Sequence, residues 1–170
     1  MDQSALATLD LIARTHGVLY VAGIVWTAFC FAHVEIAIEG KDGWAGKLPT
    51  WRLSPKNPIS RLLFGGRPAD GYHVWMDLFI LSMLHIVYAF VPYSLATELE
   101  LFAFLCFFTV LEDFFWFVFN PAFGLRNFRK EKIWWHRKQW LWIAPSDYYF
   151  LLSLGAILYA AAQALPGGIM

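Results

Sequence analysis

The chain has 170 residues, of which 59% are hydrophobic and 19% aromatic, and its formal net charge is zero. Soluble domains are about 45–50% apolar, so this composition, with a mean hydropathy of +0.50, excludes an ordinary soluble domain. It predicts an all-α integral membrane protein that forms a single domain over residues 1–170. The two cysteines lie in apolar runs and form no CxxC pair, which argues against a disulfide framework.

Four hydrophobic segments are long enough to cross a bilayer as helices. They cover residues 15–38, 72–91, 95–119 and 148–165, and we call them spans 1 to 4. Residues 4–14 form either a short amphipathic helix or an extension of span 1, and no basic signal-peptide region precedes them, so we expect span 1 to be retained. Pro92 and Pro121 end spans 2 and 3, because a proline ring has no N–H to donate. The pattern predicts a four-transmembrane-helix bundle.

Lysine and arginine set the expected orientation. Almost all of them lie in the two connections 39–71 and 122–146, which four spans would place on the same side of the membrane. The positive-inside rule then predicts that both connections are cytoplasmic and both termini are outside. We expect the protein in the cytoplasmic (inner) membrane.

The two basic connections differ in character. Connection 39–71 is long, and loops beyond about 12–15 residues are usually functional, packed or disordered. We expect it to fold over the membrane surface with a short amphipathic turn at residues 59–64. Connection 122–146 combines basic residues with several tryptophans, which prefer the headgroup level. It is predicted to be an interfacial amphipathic segment, either a helix that anchors the protein or a surface that binds lipid headgroups.

Ionisable residues inside the spans are unexpected, because a charge at the bilayer centre costs roughly 2.5–3.5 kcal/mol on insertion scales. Most of them fall at one depth near the cytoplasmic face, whereas His85 lies deeper. With their neighbours at the span ends, they form a predicted polar layer of His33, Glu35, Glu39, His73, Asp77, Glu112, Asp113, His136 and Asp147. Since all four spans contribute, the pattern indicates one polar site.

The angular position of each residue around its helix limits which members of the polar layer can face one site. His73 and Asp77 are four residues apart and share a helix face. Glu35 and Glu39 also share a face, whereas His33 points about 160° away from Glu35 in a straight helix. Either His33 or the two glutamates therefore face the site, and the sequence leaves both alternatives open.

Imidazole and carboxylate ligands without thiolate suit iron, zinc or manganese. Such a divalent metal ion would offset the cost of burying several acids. The predicted metal ligands are His33, His73, Asp77 and Glu112. Asp113 and Glu35 are predicted catalytic residues, one of them acting as general base, and His136 would close the site from the interface. The chain has no HExxH motif, so this prediction depends on the layer alone.

The resulting hypothesis is a small membrane-embedded, metal-dependent enzyme that hydrolyses or oxidises a lipid or other amphiphile at the cytoplasmic face. Its partners would be membrane lipid and that substrate, within a homo-oligomer or a larger membrane complex, and not nucleic acid. One alternative is a non-catalytic membrane subunit or anchor, whose buried polar layer is a structural network. A weaker alternative is an ion or proton transporter, against which the apolar outer halves of the spans argue.

Overall fold

A computed structural model describes residues 3–136 and 140–165, most of which are helical. Short 3₁₀ turns at Ile86–Ala89 and Leu125–Asn127 follow the third and fourth helices. In chain order the elements are α1 (Gln3–Glu39), α2 (Pro58–Leu63), α3 (Gly71–His85), α4 (Leu95–Phe119), β1 (Trp140–Leu141), β2 (Ala144–Pro145) and α5 (Ser146–Gln163). The two short strands pair antiparallel, with Trp140 opposite Pro145.

Within the described residues, three helical stretches are long and apolar enough to cross a membrane, as expected of an all-α integral membrane protein. They are Arg14–Glu39, Gly71–Ala89 and Leu95–Phe119. Because α1 is continuous from Gln3, residues 4–14 extend the first span. Helix α5 forms where the fourth span is predicted, but its 18 residues include Ser146, Asp147 and Gln163. It is not one of the three stretches that meet the length and hydropathy required of a span.

Helix α4 is central, with α1 and α5 packed along it. Ala28, Ala32, Ala103 and Ala162 on these three helices are completely buried, as expected where small residues let helix backbones approach closely. Helix α3 is peripheral, since only 6% of the most apolar part of the stretch Gly71–Ala89 is buried inside the protein. At one end of the bundle, the Asn120 side-chain amide donates to the Gly40 carbonyl oxygen at 2.6 Å. This bond holds the C-terminal ends of α1 and α4 together.

The connection between α1 and α3 folds back on the start of α3. Asn57 caps α2, which confirms a short helix close to the expected turn at residues 59–64. Arg52 forms an isolated β-bridge with Asp70, and the Leu53 N–H donates to the Ala69 carbonyl at 2.8 Å. These contacts fix the connection against the residue that caps α3.

The connection between α4 and α5 is not a continuous interfacial helix in its described part, so that form of the prediction is wrong. Pro121 and Gly124, which has φ +78°, stop the helix, and only a 3₁₀ turn and the β-hairpin follow. Ile133 and Trp135 are buried against Trp116 and Phe117 of α4. This part of the connection packs as an aromatic cap on the end of α4.

Candidate functional site

Acidic and imidazole side chains meet at the end of the bundle where α1 and α4 finish and α3 and α5 begin. We call these residues the acid–imidazole cluster. Its members are Glu35, Glu39, Asp70, His73, Glu112, Asp113, His136 and Asp147. They form three groups, built around His73, around His136 and around the pair Glu35 and Glu112.

The first group surrounds His73. The Asp70 carboxylate accepts from the backbone N–H of His73 at 3.1 Å and lies 2.7 Å from its ring Nδ1. Asp70 therefore caps α3 and orients the imidazole at the same time. With Nδ1 donating to Asp70, the other ring nitrogen points to Glu39, whose Oε1 lies 3.9 Å from Nε2. A carboxylate on each side of one imidazole suits proton transfer.

Asp70 lies just outside the spans and is completely buried. Burial raises the pKa of Asp70, but hydrogen bonds from the His73 ring and backbone and the charge of Arg52 outweigh it. The pKa of Asp70 is therefore below its ordinary value. Arg52 Nη1 lies 3.5 Å from Asp70 Oδ2, so the carboxylate is held in its charged form by two neighbours.

Two residues with left-handed backbone complete this group. Trp44 and Ala45 have φ values of 47° and 48°, which non-glycine residues adopt only where the surrounding structure enforces them. The Ala45 N–H donates to Glu39, and the Ala45 carbonyl accepts from Arg52. The strained turn thus connects the end of α1 to the residues around Asp70.

The second group surrounds His136, whose side chain is almost completely buried. Its Nε2 lies 3.3 Å from Asp113 Oδ2, and its Nδ1 lies 3.7 Å from Asp147 Oδ2. The Tyr148 hydroxyl donates to Asp113, and Arg67 contacts Asp147 at 2.8 Å. This second imidazole also lies between two carboxylates, each with its own additional partner.

The third group is the pair of buried carboxyl groups of Glu35 on α1 and Glu112 on α4, which lie close enough to interact directly. Both residues are 8% exposed, and the Tyr72 hydroxyl of α3 lies near the same two carboxyl groups. Among the described residues, Glu112 Oε1 has no hydrogen-bond partner of good geometry. Carboxyl groups this close are stable when they share a proton or hold a cation between them.

The structure brings some of the predicted site residues together and separates others. Glu35, Asp113 and His136 are in the acid–imidazole cluster with His73 and Glu112.

Two predicted metal ligands lie outside the cluster. His33 is exposed on the opposite side of α1, where its ring packs on Phe29 and Phe119. Asp77 is exposed on α3. Of the two alternatives for α1, the glutamates face the site. Within residues 3–136 and 140–165, no three histidine, cysteine or acidic side chains are grouped to hold a metal ion.

Sequence reasoning missed several residues of the site. Asp70 could have been found from its position just before a helix, where Asp is a favoured cap. Tyr72, Tyr148 and Arg67 carry no signal in the sequence, because their role depends on which helices are neighbours. Another buried acid, which lies outside this site, was also missed. Glu100 on α4 accepts a hydrogen bond from Gln163 at 2.7 Å and lies 3.9 Å from His16, at the opposite end of the bundle.

An open cavity of about 580 Å³ lies beside the cluster, between the α1–α3 connection and α3. Thr50 and Trp51 line one side of it, and Tyr72 and Trp75 line the other. Its volume is within the range of small-molecule sites, about 300–1,000 Å³. Tyr72 thus lies between this cavity and the Glu35–Glu112 pair.

The chain matches no protein-family model, and no curated protein and no solved structure is significantly similar to it. The interpretation of the site therefore depends on its geometry.

Proposed function

We propose that this chain is a membrane-embedded enzyme that acts on a lipid or a similar amphiphile at the cytoplasmic face of a membrane. The observation that carries the proposal is the acid–imidazole cluster, which buries carboxyl groups and two imidazoles where α1 and α4 end. Burying ionisable groups within the spans, such as Glu35 and Glu112, is costly, and such groups cluster at functional sites.

The chemistry that the cluster supports best is general acid–base catalysis. His73 lies between Asp70 and Glu39, and His136 lies between Asp113 and Asp147. An imidazole in such a setting can accept a proton from a substrate and return it, since its ordinary pKa is close to neutral.

The proposed topology has α5 as a fourth span, antiparallel to α4. Its support is the packing of α5 along α4 and the position of both basic connections at the cluster end of the bundle. By the positive-inside rule this end is cytoplasmic, and both termini are outside. The substrate would then reach the cluster from the inner leaflet of the cytoplasmic membrane.

A divalent metal ion (iron, zinc or manganese) remains a prediction, and no step of the proposed acid–base chemistry uses it. The described residues do not form a three-ligand site, although the free oxygen of Glu112 beside Glu35 would suit a cation. Elemental analysis of detergent-purified protein tests it, with Glu112→Gln and His73→Ala alongside. Near-stoichiometric metal that falls in both variants would support the prediction, and metal-free wild-type protein would reject it.

Comparative lipid analysis tests the enzymatic proposal. Cells expressing wild-type protein, Glu112→Gln or His136→Gln would be extracted, and their lipids compared by mass spectrometry. We expect a lipid species that changes with the wild-type protein and returns toward control levels in both variants. Identical lipid profiles, with all three proteins present in the membrane, would reject an enzyme acting on cellular lipid.

A non-catalytic subunit or anchor is the second candidate. It is favoured by one observation: the cluster contacts also join connections to helices, as Arg67 joins Asp147 and Arg52 joins Asp70. In that case the contacts serve stability alone, and removing one partner would destabilise the protein because it leaves the other charge unpaired. The lipid profile would not change, so the same two variants distinguish the candidates.

A further inference from the structure

An apolar groove of about 420 Å³ runs between α4 and α5. Phe107, Leu111 and Phe114 of α4 form one wall, Leu152 of α5 forms the other, and Phe128 and Tyr148 lie at its end. The groove is separate from the cavity beside Tyr72, and none of the sequence-based site residues lines it.

The groove lies along the part of α4 that is apolar enough to cross a membrane. Phe107 and Phe114 are seven residues apart, so the groove extends about 10 Å along the helix axis at 1.5 Å per residue. At the Phe107 end the helices touch: a Cβ added at Gly155 would lie 3.0 Å from Phe107. Helices α4 and α5 are therefore in close contact at this level, and the apolar walls of the groove fit hydrocarbon and not water.

The other end of the groove meets the acid–imidazole cluster. Tyr148 lines the groove with its ring, while its hydroxyl donates to Asp113. Asp113 in turn lies 3.3 Å from His136 Nε2. A chain lying in the groove would thus have its polar end directed toward a tyrosine, a carboxylate and an imidazole.

We infer that this groove binds one hydrocarbon chain of the substrate and delivers its functional group to Tyr148 and the His136 group. The inference rests on the proposed function and specifies its substrate class as a lipid with a long hydrocarbon chain. The membrane depth of the walls, their apolar lining and the shared residue Tyr148 support this occupant. Tyr148 would touch the bound lipid and position Asp113.

Photocrosslinking in phosphatidylcholine nanodiscs tests the groove without any turnover. The nanodiscs would contain a trace of a fatty acid bearing a mid-chain diazirine, and adducts would be mapped by mass spectrometry after irradiation. We expect adducts concentrated on groove residues such as Leu111 and Phe114, and a severalfold loss of them with excess unlabelled fatty acid. Adducts that are as frequent on the exposed face of α3 as in the groove, and that excess unlabelled fatty acid does not reduce, would overturn the inference.

Two substitutions make the test specific. Leu152→Trp fills the groove from a residue that is 44% exposed, and Leu78→Trp makes the same change on α3, where Leu78 is 48% exposed and outside the groove. We expect groove adducts to fall severalfold in Leu152→Trp and to be unchanged in Leu78→Trp. Unchanged adducts in a folded Leu152→Trp protein would reject the groove.

The two proposals fail in different ways. A groove that is labelled and displaced, in a protein whose expression changes no lipid, would reject the enzymatic function and retain the binding site. A lipid change that persists in Leu152→Trp would retain the enzyme and reject the groove as its substrate site.

Discussion

The indole of Trp44 stacks on the imidazole of His73, with ring centroids 4.0 Å apart and planes inclined by 20°. The Arg67 guanidinium also lies over Trp44, 4.5 Å from the ring centroid, and Arg67 contacts Asp147 and His136. Trp44 is therefore the aromatic link between the His73 group and the His136 group.

Trp44→Ala should destabilise the protein by about 2–3 kcal/mol, less than the 3–5 of a fully buried tryptophan because Trp44 is half-buried. The physical cause is the loss of the ring that both His73 and Arg67 contact. Thermal unfolding in detergent measures the change. Trp142→Ala is the matched control, since Trp142 is 84% exposed and should shift the midpoint little. Equal shifts in the two variants would contradict the linking role.

Asp70→Asn should lower stability at neutral pH by about 1–3 kcal/mol, because a charged hydrogen-bond acceptor is lost. The folded pKa of Asp70 is lowered from its ordinary 3.8. The contribution is therefore fully present above that value and is lost as pH falls through the lower folded pKa.

Unfolding measured from pH 7 down to pH 2.5 checks the Asp70 prediction. The wild-type protein should lose, below about pH 4, a stability component that Asp70→Asn lacks. Asp42→Asn, which affects the surface pair with Lys47, serves as the control and should keep the wild-type pH profile. A pH profile of Asp70→Asn that parallels the wild type would contradict the assignment.

Gly71→Ala should loosen the α1–α3 connection, because the new Cβ would lie 2.5 Å from Trp51 Nε1 and 2.6 Å from Thr50 Oγ1. Overpacking of this kind costs about 1–3 kcal/mol. Limited proteolysis of residues 40–70 measures it as faster cleavage. Gly17→Ala in α1 meets nothing within 4 Å and should be neutral or stabilising, since alanine favours helix over glycine by up to about 1 kcal/mol.

Glu112→Gln and Glu100→Gln separate function from stability on one helix. Both residues are buried, at 8% and 3% exposure, and a glutamine amide can still hydrogen bond, so each variant should stay within about 1–2 kcal/mol of wild type. We expect only Glu112→Gln to abolish the lipid change, because Glu100 lies at the opposite end of α4. Loss of the lipid change in both variants would assign it to a fold defect.

The helices could be predicted from the sequence because a bilayer demands a minimum apolar length, which α1, α4 and the stretch formed by α3 with its 3₁₀ turn satisfy. The depth of Glu35, His73 and Glu112 in the membrane could also be predicted, because each residue's distance from the end of its span is known from the sequence. The face of each helix could not be predicted, because phase gives only relative directions. For this reason the sequence left His33 and Glu35 as alternatives. It also could not show that Asp77, which lies on the same helix as His73, is exposed.

The partners of Asp113 have a consequence for how the protein is made. His136 and Tyr148 both follow α4 in the chain, so α4 leaves the ribosome before these partners exist. A lone carboxylate costs an inserted helix up to roughly 2.5–3.5 kcal/mol. Asp113 therefore gains these two contacts only after the start of α5 has been synthesised, so this part of the cluster forms later than α4 itself.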